Sequence, residues 1–198
     1  MKEALFFVFV SYLVGSFPTA YVICRLFKGV DIRLSGSGNV GATNVARVAG
    51  KGYGVVTLLL DVLKGFLPVF ICGLYFEGYV VLSGAAVIAG HIWPVFLRFK
   101  GGKGVAAGVG VIIALNYIAA IAVFVLFFII LCLTRFVSVG SIVSAAVLPV
   151  VMWYLDEPLS VILFTAVAAL VAIYTHRENI KRLLKGTENK FSFPRRGK

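Results

Sequence analysis

The chain has 198 residues, 61% of them hydrophobic and only 14% charged, with a formal net charge of +11. Soluble domains carry about 25% charged residues, so this composition excludes an ordinary soluble protein and points to an integral membrane one. The basic residues sit in short segments between apolar runs, which fits topogenic charge and no nucleic-acid partner.

The first apolar run covers 4–24. It follows only Lys2 and Glu3 and ends without a small-residue cleavage site, so it is expected to be a retained span. Next comes Ser35–Arg47, SGSGNVGATNVAR. Its glycines (Gly36, Gly38, Gly41) let backbone N–H groups converge on an anion. Ser37 and Thr43 can donate, Asn39 and Asn44 add amides, and Arg47 can hold an oxyanion bidentately. The alternative is a plain glycine-rich turn. No Gly-Lys-Ser/Thr closes the segment, so it is not a P-loop.

Apolar runs at 53–76 and 79–97 follow. Asp61 and Lys64 lie three apart on one helical face of the former; ionisable groups at that depth pair inside a bundle, and a structural role is expected. The third run leads into Gly90–Gly104, GHIWPVFLRFKGGKG. His91 either faces a membrane-level cavity or is a satisfied structural histidine, and Pro94 should bend or end the helix. Gly101, Gly102 and Gly104 bracket Lys103, a second expected nest, and a helix N-terminus at Val105 adds positive potential. Topogenic charge accounts for Lys100.

The 105–133 run is too long for one comfortable crossing, and Asn116 and Tyr117 interrupt it. One tilted helix or two short ones would serve, and charge decides. Arg25, Lys28, Arg33, Arg47 and Lys51 follow the first span. Arg98, Lys100 and Lys103 follow the third, and Arg177, Lys181, Arg182, Lys185, Lys190, Arg195, Arg196 and Lys198 fill the tail. Basic loops stay cytoplasmic, so all three groups should share one side. Splitting at Asn116 achieves this with seven crossings, N-terminus outside and C-terminus cytoplasmic. The 105–115 piece is then about 16 Å long, a short fourth helix packed within protein. The expected fold is an all-α seven-helix transmembrane bundle, one domain over 1–198.

Runs at 136–154 and 158–175 complete the set. Ser138, Ser141 and Ser144 recur beside Arg135 and either help helices pack or, for Ser138 and Ser141, reach a site at the cytoplasmic edge. His176–Glu188, HRENIKRLLKGTE, reads as an amphipathic continuation with His176, Asn179 and Arg182 at helical spacing, or as an ordinary tail helix. Cys24, Cys72 and Cys132 are isolated and read as small hydrophobes.

The chain has no Ser–His–Asp order, no G-x-S-x-G and no H-E-x-x-H. Cytoplasmic acids are few (Asp31, Glu178, Glu188), so no metal and no cofactor is expected. Anion-binding loops, one or two histidines and an apolar bundle suit a reaction joining a phosphorylated polar substrate to a lipid-soluble one.

GSGNVGATNVAR, GHIWPVFLRFKGGKGVA and HRENIKRLLKGTE, in this order and with LDVLKG at 60–65, resemble the bacterial membrane glycerol-3-phosphate acyltransferases that use acyl phosphate, the PlsY family. The likeness covers essentially the whole chain. It is not to the soluble-type acyltransferases with a His-x4-Asp pair, since Phe96 stands where that Asp would fall. The resemblance implies acyl transfer from acyl phosphate to the sn-1 hydroxyl of glycerol 3-phosphate, giving lysophosphatidic acid and phosphate. It implies an enzyme of the bacterial inner membrane with a cytoplasm-facing site, acting as a monomer beside membrane lipid, without coenzyme A or acyl carrier protein. Under it, Ser37, Arg47 and Lys103 would hold phosphate and offset leaving-group charge, with His91 or a substrate phosphate oxygen as the proton acceptor. Gly38, Asn39, Thr43, Asn44, Gly101, Gly102, Ser138, Ser141, His176, Arg177, Asn179, Arg182 and Glu188 would bind substrate. The competing readings are a transporter for a phosphorylated metabolite, against which no inverted repeat is visible, and a structural scaffold, which leaves the nests unexplained.

Overall fold

The computed structural model describes residues 1–191, and the regular elements among them are all helices. Residues 1–117 form one compact unit; the second begins at Ile118.

In the first unit, α1 (Lys2–Ser16) and α2 (Thr19–Lys28) divide the first apolar run, which the sequence reading takes as unbroken. The break has a local cause. Pro18 has no N–H to give, and a residue before proline is pushed out of the helical region; Phe17 lies at φ −58°, ψ 120°. The Phe17 carbonyl, freed from the helix ladder, accepts from Lys64 Nζ at 2.8 Å. A broken span is tolerated where a side chain satisfies its backbone in this way.

Three helices then build the frame of the unit: α3 (Ala42–Val48), α4 (Lys51–Tyr75) and α5 (Val80–Ile92). The last ends just ahead of Trp93 and Pro94, as the proline predicts. α6 (Val105–Leu115) starts from left-handed Gly104 and stops at extended Asn116, so the long run splits where expected. α1 packs on α5 and α4 on α6. The α4–α6 crossing needs glycine: a Cβ on Gly65 would overlap the Ala107 carbonyl, and one on Gly110 the Val62 carbonyl. Between α1 and α5 the Ser11 and Ser83 hydroxyls meet at 2.9 Å. Ala20, Ile23 and Cys24 of α2 bury with Ile32, Val40, Val45, Ala49 and Leu97 in one apolar cluster. That cluster pins both ends of the Ser35–Arg47 segment.

In the second unit, which takes up α7 (Tyr117–Thr134) from its second residue, α7 and α8 (Val137–Tyr154) are joined through Arg135 at φ 64°. α9 (Leu159–Thr175) packs on α8, and α10 (Arg177–Leu184) continues past His176. Ser144 Oγ donates to the Val123 carbonyl at 3.1 Å, tying α8 to α7.

Among the described residues, five stretches are long and apolar enough to cross a membrane: Lys2–Lys28, Lys51–Tyr75, Glu77–Leu97, Tyr117–Thr134 and Val137–Tyr154. A sixth is counted if Leu159–Thr175 and Arg177–Leu184, bent by 54°, form one span. The short α6 falls below that length. Arg195, Arg196 and Lys198, which contribute to the sidedness argument, lie outside the described residues.

Candidate active site

In the first unit the Ser35–Arg47 loop is organised by Asn44, which is 1% exposed. Its Oδ1 accepts from the Ser37 N–H at 2.9 Å, and its Nδ2 donates to the Ser35 and Asn39 carbonyls at 3.0 Å each, with Ile32 further off at 3.4 Å. Gly36 and Gly38 take φ of 63° and 72°, left-handed values that let the chain coil around this amide. This corrects the expectation that Asn44 contacts substrate. Asn44 is a scaffold for the loop, because its polar atoms are occupied inside it. Two of the loop's N–H groups are also taken up inside it: the Ser37 N–H is bonded to Asn44 and the Gly38 N–H to the Ser35 carbonyl. The loop presents side chains. Ser37, Thr43 and Arg47 are exposed, and Asn39 is half-buried. Arg47 makes no ion pair among the described residues. Arg33 does: its guanidinium reaches Asp31 Oδ2 at 2.6 Å, holding that carboxyl well below the usual range at about 2.

At the end of α5, His91 is 6% exposed. The Gly101 and Gly102 N–H groups bond the Ile92 and His91 carbonyls, each at 3.1 Å. Two amides of the second expected nest, those of Gly101 and Gly102, thus close the C-terminal end of α5. Gly102 is required by close approach, since a Cβ there would strike His91 Nε2. The turn carries Lys103 onward to the start of α6. Asp61 and Lys64 pair as expected, at 2.8 Å, and Asp61 Oδ1 lies 3.9 Å from His91 Nδ1.

In the second unit, Glu188 gathers three donors. Its Oε1 accepts from Ser138 Oγ at 2.8 Å and Asn179 Nδ2 at 2.6 Å, and its Oε2 from Arg182 Nε at 2.7 Å. Burial pushes the Glu188 carboxyl up, but the bonds from Asn179, Arg182 and Ser138 outweigh it and hold the group below its ordinary range. An anion there cannot itself grip phosphate; it aligns Asn179 and Arg182. His176 is buried, with Nδ1 2.7 Å from the Ala172 carbonyl. Ser141 donates to the Val137 carbonyl of its own helix at 2.9 Å. Arg177 is not brought to this cluster: it is exposed and its guanidinium lies over the Tyr174 ring, 4.6 Å from the centroid.

The Lys64 bond to the Phe17 carbonyl is a long-range contact that no sequence motif announces. Pro18 is a partial signal: a proline inside an apolar run frees carbonyls, and an ionisable residue in a neighbouring span can answer one.

A family model for glycerol-3-phosphate acyltransferase matches residues 5–186. A glycerol-3-phosphate acyltransferase of Endomicrobium trichonymphae is 44% identical over 195 residues, covering 96% of both chains. One from Desulforudis audaxviator is 47% identical over 184 residues, covering 92% of this chain and 93% of its own. Two crystal structures of PlsY (YgiH), an integral membrane glycerol 3-phosphate acyltransferase, share the fold. The glycerol 3-phosphate form has a TM-score of 0.93 at 43% identity, and the lysophosphatidic acid form 0.90 at 42%; each likeness covers 96% of both chains. A family model that matches most of the chain, and relatives above 40% identity over nearly its whole length, place the chain in the glycerol-3-phosphate acyltransferase family.

Proposed function

We propose that this protein transfers a fatty acyl group from acyl phosphate to the sn-1 hydroxyl of glycerol 3-phosphate, releasing lysophosphatidic acid and inorganic phosphate. The observation that carries the reading is near-full-length likeness to an enzyme solved with substrate in one form and product in another. The hydroxyl oxygen bonds to the acyl carbonyl carbon, and the bond from that carbon to the phosphate oxygen breaks. A phosphate oxygen takes the hydroxyl proton, because an acyl phosphate is already activated and His91 is buried behind Gly102. Arg47 and Lys103 offset the charge that grows on the leaving phosphate, helped by Ser37. Asn39 and Thr43 complete that side, with Gly38, Gly101 and Gly102 shaping its backbone. Asn179 and Arg182, aligned by Glu188, place glycerol 3-phosphate together with His176, Ser138 and Ser141.

The chain is a single-domain monomer of the bacterial inner membrane, with seven crossings, the N-terminus outside and the site facing the cytoplasm. The placement of the basic loops supports this sidedness. It needs neither coenzyme A, acyl carrier protein nor a metal. The test incubates purified protein with acyl phosphate and labelled glycerol 3-phosphate alone. Lysophosphatidic acid and phosphate should appear in equal amounts; no acylated product would refute the reading.

A further inference from the structure

Four buried polar atoms have no hydrogen-bond partner among the described residues: Ser16 Oγ, Thr19 Oγ1, Asp61 Oδ1 and His91 Nδ1. All four residues line one small cavity of the first unit, whose wall also holds Lys64, Gly101 and Gly102. They come from the end of α1, the start of α2, the middle of α4 and the end of α5. A buried polar group left unpaired forfeits the hydrogen bonds it would make to water in the unfolded chain. Four such groups around one space, two of them ionisable within apolar helices, are expensive to keep without a common partner.

The wall defines that partner. The Asp61 carboxylate oxygen accepts, the two hydroxyls donate or accept, and the imidazole nitrogen does either by tautomer. Asp61 Oδ1 is ion-paired with Lys64 Nζ at 2.8 Å without hydrogen-bond alignment. The ammonium, which also holds the Phe17 carbonyl, disfavours a cation in the cavity. The 3.9 Å between Asp61 Oδ1 and His91 Nδ1 exceeds a direct hydrogen bond and invites a bridging molecule. The cavity volume of about 10 Å³ matches a single water, which needs two to four polar partners.

We infer that this cavity seats one structural water joining Asp61, His91, Ser16 and Thr19, and that through it the Asp61–Lys64 pair positions the His91 ring and the Gly101–Lys103 turn for acyl transfer. The transfer part rests on the function proposed above. The link onward is geometric. The far edge of the ring, Nε2, lies against Gly102, and the His91 carbonyl accepts the Gly102 N–H at 3.1 Å, so a tilted ring moves the residue next to Lys103. Ser16 and Thr19 stand on either side of the Phe17–Pro18 break, so the break supplies two of the water's partners. Asp61, Lys64, Ser16 and Thr19 are positioning residues, with His91 as their intermediary.

The test uses the full chain, with acyl phosphate and glycerol 3-phosphate as substrates. Thr19→Val keeps the shape and removes the hydroxyl, while Thr19→Ser keeps the hydroxyl. Thr19→Val should lower kcat several-fold with KM for glycerol 3-phosphate within about twofold, and Thr19→Ser should restore it. Asp61→Asn should lower kcat on the order of tenfold or more, the scale of a displaced positioning group. Combined with His91→Gln, it should lose no more than the larger single change. Wild-type kcat in Thr19→Val, or losses that multiply in the double variant, would overturn the inference. If Asp61→Asn fails to fold, the Thr19→Val and His91→Gln cycle decides by the same criterion. An inactive wild type would count against the proposed function instead. The same cycles read in thermal unfolding midpoints then test the shared water: coupled shifts support it and additive shifts refute it.

Discussion

Changing Asn44 to Asp replaces one amide nitrogen with oxygen at the centre of the glycine loop. The Ser37 N–H keeps its acceptor, 2.9 Å away. The carbonyls of Ser35 and Asn39 each lose a 3.0 Å donor and face a carboxylate in a position 1% exposed. Two neutral hydrogen bonds at about 1 kcal/mol each, plus an unpaired buried charge, give roughly 3–5 kcal/mol of destabilisation. Asn44→Ala, without the charge, should cost about 2–3 kcal/mol. For a chain of this size about 2–4 °C accompanies each kcal/mol, so Asn44→Asp should unfold on the order of 10 °C lower. The assay pairs thermal unfolding in detergent with acyl transfer on the same samples. Activity and unfolding midpoint should fall together. Lost activity at an unchanged midpoint would mean that Asn44 touches substrate, and the scaffold argument would be wrong.

Gly102→Ala drives a Cβ into the His91 ring and should cut turnover on the order of 10²-fold, as misplacement near a reacting group does; near-wild-type rates would show that the turn can shift freely. Arg47→Lys should leave the unfolding midpoint within about a degree, since this exposed side chain is unpaired among the described residues, yet lower activity tenfold or more if bidentate contact matters. Arg177→Ala should retain activity within about twofold, because its guanidinium rests on Tyr174. The Glu188 carboxyl is held below its ordinary range, so its contribution to stability is complete above about pH 5 and disappears as pH falls through the lowered folded value. Unfolding midpoints taken from about pH 6 to about pH 3 should therefore drop more steeply for wild type than for Glu188→Gln.

Past the first run, whose break at Pro18 hydropathy does not report, the helix ends and the division at Asn116 were legible because hydropathy and a single polar interruption report them directly. The pairing of Asp61 with Lys64 was legible too, since three residues apart on a helix leaves two charges little choice inside apolar surroundings. The glycine segments were half legible. Glycine content reports backbone freedom, not the destination of each N–H. At Gly101 and Gly102 the nearest acceptors are the last carbonyls of α5, and at Ser37 the acceptor is an amide seven residues on. Asn44 illustrates the limit: its bonds span five to twelve residues and exist only once the loop has closed. Arg177 and Arg182 both sit on α10, but five residues apart they fall on different faces, so one meets Tyr174 and the other Glu188.

The shortness of α6 bears on how the chain is made. Its 11 residues are strongly apolar but fall short of the roughly 20 that a bilayer accepts as an independent span. Its stability in lipid therefore depends on docking against α4 through Gly65 and Gly110. Because α4 lies earlier in the chain, that dock is already in the membrane when α6 emerges during synthesis. The order of elements along the polypeptide thus doubles as an assembly schedule, and a circular permutant presenting α6 before α4 would insert poorly even with every native contact still encoded.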